Sequence, residues 1–307
     1  MAVVDNPRSP LPGQLRGLHL FHYGGAPCAQ RVRFVLAEKG VRRGPSVPWR
    51  SAAPEHLEAA AGSYIARPVS LPRQQNLTEA YAAIHPHMVV PALVHDGVLH
   101  IESVDIMNYI DSALPGPPLV PAAAADVCRD LIAKASALQT AVRHLTYRWS
   151  LGGLAKLKSA KLDELDRLDS EDSPERLSVF YRAFSRGEIP DSTYVAHVRS
   201  LEDGFAEIEA LLARDERAWL TGEHFSMADI IWSVKMLRIF ETGYPFEKNF
   251  PGLGLWFERV RARPTFEEAI WRDVKIPSRV FRFKARLQNV LGRGLEAVAS
   301  EPAAGAR

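Results

Sequence analysis

Cys28 stands where a thiol can do chemistry. It follows the turn Tyr23-Gly24-Gly25-Ala26-Pro27 and opens the stretch Cys28-Ala29-Gln30-Arg31-Val32-Arg33-Phe34-Val35-Leu36-Ala37-Glu38-Lys39, whose apolar spacing is helical. Free N–H groups at a helix start, with Arg31 one turn on, favour a sulfur nucleophile there. A small packing residue is the other reading of a lone cysteine, and residue type leaves both open. Tyr23, near the end of the preceding strand, offers a phenolic donor or a packing ring, and the backbone N–H groups at 28 and 29 serve either chemistry. A second group gathers at Val90-Pro91 and Glu102-Ser103. A carboxylate placed at Ser103 would meet the unpaired N–H groups of a helix start, and extended backbone at Val90 can pair with a peptide-like ligand as an added strand does. Other chemistries find less support. His85 with His87, or His95 with His100, lack a thiol or carboxylate at ligand spacing, so no metal is expected. Gly152-Gly153-Leu154-Ala155-Lys156 lacks the phosphate-loop pattern, and no nucleophile elbow occurs.

These residues need a frame. Leu18-His19-Leu20-Phe21-His22 reads as a short buried strand, and Gly40 as the stop of the helix that follows. A second strand is expected near 46–49, followed by a long irregular connection over 50–83. Val89 to His95 and Val98 to Ile101 read as a hairpin across Asp96-Gly97, and Glu102-Ser103 leads into a helix over 104–113. The segment 114–121 holds Pro115, Gly116, Pro117, Pro118 and Pro121, a linker composition. Beyond it strand signals vanish, and helices are expected over about 125–150, 155–185 with a break near Ser173-Pro174, 193–214, 226–241 and 251–262. Ser226 and Asp229 form a capping box, a structural device, with Phe225 and Ile230 as its staple.

Bulk properties narrow the field. The 307 residues exceed one ordinary core and fit two domains with a tail. The 38 basic and 36 acidic residues are mixed along most of the chain, with a formal charge of +2, so a nucleic-acid partner is not expected. Two distant cysteines, Cys28 and Cys128, argue against a disulfide framework. No apolar run suggests a signal peptide or a membrane span, and the expected location is cytoplasmic.

An α/β half followed by an all-helical half resembles the glutathione transferases, and four motifs agree. Val89-Val90-Pro91-Ala92-Leu93 with Asp96-Gly97 looks like the family's V-P-x-L hairpin. Glu102-Ser103 resembles its E-S pair. Phe225-Ser226-Met227-Ala228-Asp229-Ile230 is similar to its S-x-A-D cap, and the run from Phe257 to Arg263-Pro264 to its closing R-P pattern. The resemblance spans roughly 17–270. It implies an α/β thioredoxin-like N-terminal domain and an all-α C-terminal domain, with boundaries at 15–113, a linker at 114–124, a helical substrate domain at 125–270, and an amphipathic helix and tail at 271–307. It also implies glutathione as co-substrate, with Val90 and Pro91 beside its cysteinyl backbone, Glu102 and Ser103 at its γ-glutamyl carboxylate and His87 at its glycyl carboxylate. A homodimer is implied as well.

The class is read from Ala26-Pro27-Cys28-Ala29-Gln30-Arg31-Val32-Arg33, which resembles the S-S-C-x-x-R-V-R stretch of the zeta class and puts Cys28 in register with the cysteine of bacterial tetrachlorohydroquinone dehalogenases. Cys28 leads as catalytic residue and Tyr23 follows. The zeta-type serine is Ala26 here, which removes the usual hydroxyl donor to the glutathione sulfur. The polar extension from Lys156 to Asp191 resembles the bacterial dehalogenases and lignin β-etherases, so a small hydrophobic electrophile, an aromatic ether or haloaromatic, is the expected substrate. The alternative is a catalytically weak relative that binds partners through a basic C-terminal helix over Ser278 to Ala299, with Phe283, Leu287, Leu291 and Leu295 on one stripe. A membrane surface is the less favoured occupant of that stripe, and the residues from Glu301 onward are expected to be disordered.

Overall fold

The computed structural model describes residues 2–169, 176–214 and 217–299. Its contacts separate two units. The first comprises Met1–Pro118, Lys156–Glu188 and Glu268–Ile270, and the second Leu119–Ala155, Ile189–Glu267 and Trp271–Arg307. The linear reading runs the helical domain without interruption from 125 to 270. Contacts instead group Lys156–Glu188 with the first unit.

The first unit is built on a six-stranded sheet of order β1-β6-β5-β2-β4-β3. Its strands are β1 (Val3–Val4), β2 (Leu18–His22), β3 (Arg42–Ser46), β4 (Ser63–Pro68), β5 (Ala92–His95) and β6 (Val98–His100). β2 runs parallel to β4 and antiparallel to β5, with Phe21 opposite Arg67 on one side and Ala92 on the other. All five residues of β2 are buried, including two histidines. Burial drives the His19 pKa down to about 4 and holds His22 well below its ordinary value, with the charge of Arg33 a further cause for His22. Both imidazoles are therefore neutral parts of the core.

Two readings of this region are corrected. The expected strand near 46–49 lies at Arg42–Ser46, and the connection over 50–83 contains β4, the parallel neighbour of the central strand. The strand escapes a pattern search because Arg67 interrupts its apolar run. Arg67 is fully buried and lies 5.6 Å over the Phe21 ring. Its donors reach the carbonyls of Trp49 at 3.2 Å, Ser51 at 2.8 Å and His56 at 2.6 Å, and His19 Nδ1 at 3.2 Å. A buried cation without hydrogen bonds would be prohibitive, whereas one that saturates the carbonyls of an irregular loop is tolerated. Burial still brings its pKa down to about 10.

The local signals hold where they are chemical. The first long helix is Pro27–Glu38, and Gly40, at φ +74°, closes it by donating to the Ala37 carbonyl at 3.0 Å. Asp96 and Gly97 have φ of +49° and +87°, as a two-residue hairpin turn requires. The helix after the hairpin is Ser103–Ala113, which packs against Pro27–Glu38.

Helices Ser159–Leu168 and Leu177–Arg186 complete the first unit. Leu165 and Leu177 share a buried cluster with Leu77, Ala82 and Met88, against which Val89, Leu157, Leu168 and Tyr181 pack. Lys161 Nζ donates to the Leu77 carbonyl at 2.5 Å. The expected break at Ser173-Pro174, like the tail from Glu301, lies outside the described residues.

In the second unit, helices Ala125–Ala137, Gln139–Leu145, Asp191–Arg214 and Pro251–Arg261 accompany the buried helix Met227–Glu241. Asp229 is fully buried at the start of that helix. Its carboxylate accepts from the Ser226 N–H at 2.9 Å, the Ser226 hydroxyl at 2.7 Å, the Leu220 N–H at 2.9 Å and Trp256 Nε1 at 2.9 Å. Burial raises the Asp229 pKa, and these donors oppose the rise. Arg263 of the R-P pattern stacks 3.9 Å from the Phe225 ring, just before the cap. The C-terminal helix is Arg272–Val290, with Pro277 inside it, followed by Leu295–Ala299. It thus begins earlier and ends sooner than the single helix expected over 278–299.

Arg67→Ala would leave the Trp49, Ser51 and His56 carbonyls without a donor. We expect a loss of about 2–4 kcal/mol in denaturant unfolding, with proteolytic nicking appearing first in residues 47–57.

Candidate functional site

The turn between β2 and helix Pro27–Glu38 is fixed by side chains of the helix itself. Arg33, 2% exposed, donates to the Tyr23 carbonyl at 3.3 Å, the Gly24 carbonyl at 3.0 Å and the Ala269 carbonyl at 2.8 Å, and lies 3.1 Å from His22 Nδ1. Gln30 Nε2 donates to the same Gly24 carbonyl at 3.1 Å. Ala26 is the N-cap in extended conformation and Pro27 the first helical residue. Proline suits that position because its missing N–H would have had no partner there. Cys28 follows, partly exposed, within the first turn.

Arg31 joins the two halves of the expected site. Its Nη2 donates to Cys28 Sγ at 3.3 Å, its Nε donates to Ser103 Oγ at 3.0 Å, and its Nη2 also reaches that hydroxyl. Arg31 is only 7% exposed and Ser103 only 6%. A guanidinium therefore lies between a thiol and a hydroxyl, each in the first turn of a helix. Three sources of positive potential, two helix starts and a cation, converge on this spot. A thiolate and a carboxylate are the ligands it suits.

Glu102 precedes Ser103 with φ of +61°, a rare conformation for a residue with a side chain. Its carboxylate accepts from His87 Nδ1 at 3.0 Å. That hydrogen bond, with smaller help from the charge of Arg31, holds the Glu102 carboxyl below its usual range against the opposing effect of burial. The Val90–Pro91 bond is cis. The ladder between β2 and β5 ends at Phe21 opposite Ala92, so Pro91 and His22 lie just past its same end, His22 still pairing with Pro68 of β4. Val90 lies beyond the ladder. The strand expected from Val89 starts only at Ala92, since Pro91 has no N–H to give.

The structure brings Cys28 and Ser103 together through Arg31, and His87 and Glu102 through a direct contact. Tyr23 is placed differently: its ring packs on the core cluster that includes Phe21 and Ala92, and its carbonyl serves the turn. The supports of the Val90 segment were not legible in the sequence. Asn76 Nδ2 donates to the Met88 carbonyl at 2.9 Å, and the Tyr81 hydroxyl to the Val89 carbonyl at 2.9 Å. Met88 itself has φ of +52°. His85, fully buried against Tyr81, accepts the His87 N–H at 3.3 Å, and burial drives its pKa down to about 3. The repeat His85-Pro86-His87 before Val90-Pro91 was the available signal.

Comparison with known proteins matches both parts of the chain to one family. The family model for the glutathione S-transferase N-terminal domain matches residues 20–118, and that for the glutathione S-transferase C-terminal domain matches 175–264. The 2,5-dichlorohydroquinone reductive dechlorinase of Sphingobium indicum is 29% identical over 287 residues, covering 82% of this chain and 81% of its own. Glutathione S-transferase Z2 of Arabidopsis thaliana is 22% identical over 255 residues, covering 82% of this chain and 90% of its own. Among solved structures, β-etherase LigF from Sphingobium sp. strain SYK-6 aligns with a TM-score of 0.65 at 20% identity, over 82% of this chain and 98% of that one.

The His87–Glu102 contact has a pH signature. A carboxyl that titrates lower folded than unfolded contributes stability above its unfolded value, here about 4.5, and loses that contribution as pH falls through the folded value. We expect His87→Ala to move the Glu102 titration upward, read by carbon-13 NMR of the side-chain carboxyl. An unmoved titration would show that the contact is not made in solution.

Proposed function

The chain belongs to the glutathione S-transferase family, and on that footing we propose that it is an enzyme using bound glutathione against an electrophilic aromatic substrate, with Cys28 as the catalytic thiol. The observation that carries this reading is the Arg31 guanidinium held between Cys28 Sγ and Ser103 Oγ. Ser103 and the helix start beside it receive the γ-glutamyl carboxylate, the Val90 backbone pairs with the cysteinyl residue, and His87, oriented by Glu102, faces the glycyl carboxylate. Ala26 carries no hydroxyl for the glutathione sulfur. Arg31 and the N–H groups at the helix start take that part, with Tyr23 as the remaining side-chain candidate.

The chemistry follows from two thiols. The glutathione thiolate displaces a halide or aryloxide from the substrate carbon, forming a carbon–sulfur bond as the leaving group departs with its electron pair. Cys28 thiolate then attacks the sulfur of that conjugate. The carbon–sulfur bond breaks, the carbon takes a proton, and Cys28 is left in a mixed disulfide with glutathione. A second glutathione thiolate attacks this disulfide, releasing glutathione disulfide and restoring Cys28. Two glutathione molecules are oxidised and one carbon–halogen bond is reduced. Substrates that need only displacement, such as aryl ethers, stop after the first step. The dechlorinase relative supports a haloaromatic as the first substrate to try. The proposal includes a cytoplasmic homodimer, and a role in detoxification or aromatic catabolism.

Cys28→Ala separates the steps. We expect it to retain glutathione binding, seen as a melting-temperature rise worth roughly 2.7 kcal/mol at about a hundred times the dissociation constant. We also expect formation of the reduced arene to fall by about a hundredfold or more, with the glutathione conjugate accumulating. Undiminished turnover would remove Cys28 from the mechanism.

A further inference from the structure

The outward face of helix Arg272–Val290 is apolar in a way that nothing in the glutathione site accounts for. Ile276, Val280, Phe283, Leu287 and Val290 recur at alternating steps of four and three residues, the spacing of one continuous stripe. Each is between 53% and 83% exposed, and Leu291 at 60% widens the stripe at its end. The opposite face is the one that packs, through Val274, Ser278 and Ala285. Soluble surfaces rarely carry so many large apolar side chains in one contiguous row.

The charges beside the stripe identify its occupant. Between Asp273 and Glu296 the sequence has Lys275, Arg279, Arg282, Lys284, Arg286 and Arg293 and no carboxylate. Arg282 and Lys284 are partly turned inward, the first stacking 3.9 Å from the Phe240 ring and the second donating to the Ser150 carbonyl at 2.7 Å. Lys275, Arg279, Arg286 and Arg293 are exposed, as is Arg272 before them. A second copy of this helix fits poorly. Arg279 and Arg286 edge the stripe along one side, so antiparallel pairing sets cation against cation, and in neither orientation does the span of the stripe supply a carboxylate to meet them. We propose that this face lies on an anionic lipid surface, with the apolar stripe in the headgroup boundary and the flanking cations on lipid phosphates. An apolar row edged by cations on an otherwise docked helix meets both requirements of such binding at once.

The test uses the full-length protein and sedimentation with vesicles of phosphatidylcholine, with and without phosphatidylglycerol. We expect binding to the anionic vesicles that weakens in high salt and is slight on phosphatidylcholine alone. Phe283→Asp with Leu287→Asp should weaken it by about tenfold or more, and Arg279→Glu with Arg286→Glu by at least about fivefold per cation reversed. Unchanged melting temperatures would certify the variants as folded. Equal binding by the Asp variants, or none by the wild type, overturns the proposal. So does a solution dimer that dissociates on Leu287→Asp, because the stripe would then be an interface between copies.

Discussion

The turn that carries the candidate chemistry depends on one buried guanidinium. Arg33 gathers the Tyr23, Gly24 and Ala269 carbonyls and stands beside neutral His22, so the chain leaves β2 along a single path. A tight strand-to-helix turn exposes carbonyls that a buried setting cannot leave unpaired. Arg33 supplies donors from the helix that the turn introduces, which makes the turn and the helix one cooperative piece. Cys28 and Arg31 inherit their places from it. The sheet fixes the other half, because Phe21 opposite Ala92 brings the Val90-Pro91 segment to the same end.

Three buried arginines of the first unit, Arg31, Arg33 and Arg67, do different work for the same physical reason. Each presents a planar set of donors that can satisfy several acceptors, and each is removed from water by the groups it binds. Arg33 and Arg67 spend their donors mainly on backbone carbonyls, one at the turn before Cys28 and one under the loop before β4. Arg31 alone spends them on side chains that can react or bind. Its neighbours in sequence do not reveal that distinction. It arises because Ser103 begins the helix packed beside Pro27–Glu38.

What was legible in the sequence was local. The strand Leu18–His22, the glycine stop at Gly40, the Asp96-Gly97 turn and the Ser226–Asp229 cap are each encoded within a few residues, and each stands where it was read. β4 was not legible, because its parallel partner is distant in sequence and its apolar run contains Arg67. Nor was the packing of Lys156–Glu188, since amphipathic helices announce a buried face without naming what covers it. For the site, motif register supplied Cys28, Glu102 and Ser103, whereas the Arg31 bridge and the backbone supports at Met88 and Val89 belong to tertiary structure alone.

The packing of Leu165 and Leu177 on Leu77, Ala82 and Met88 reaches into biosynthesis. The first 118 residues leave the ribosome without the side chains that cover this cluster, and the chain enters the second unit before returning with them. At about 5–20 residues per second, the missing cover arrives several seconds later. During that interval the nascent chain holds an uncovered apolar surface beside the Val90 segment, so the order of synthesis differs from the order in which the first unit can be completed.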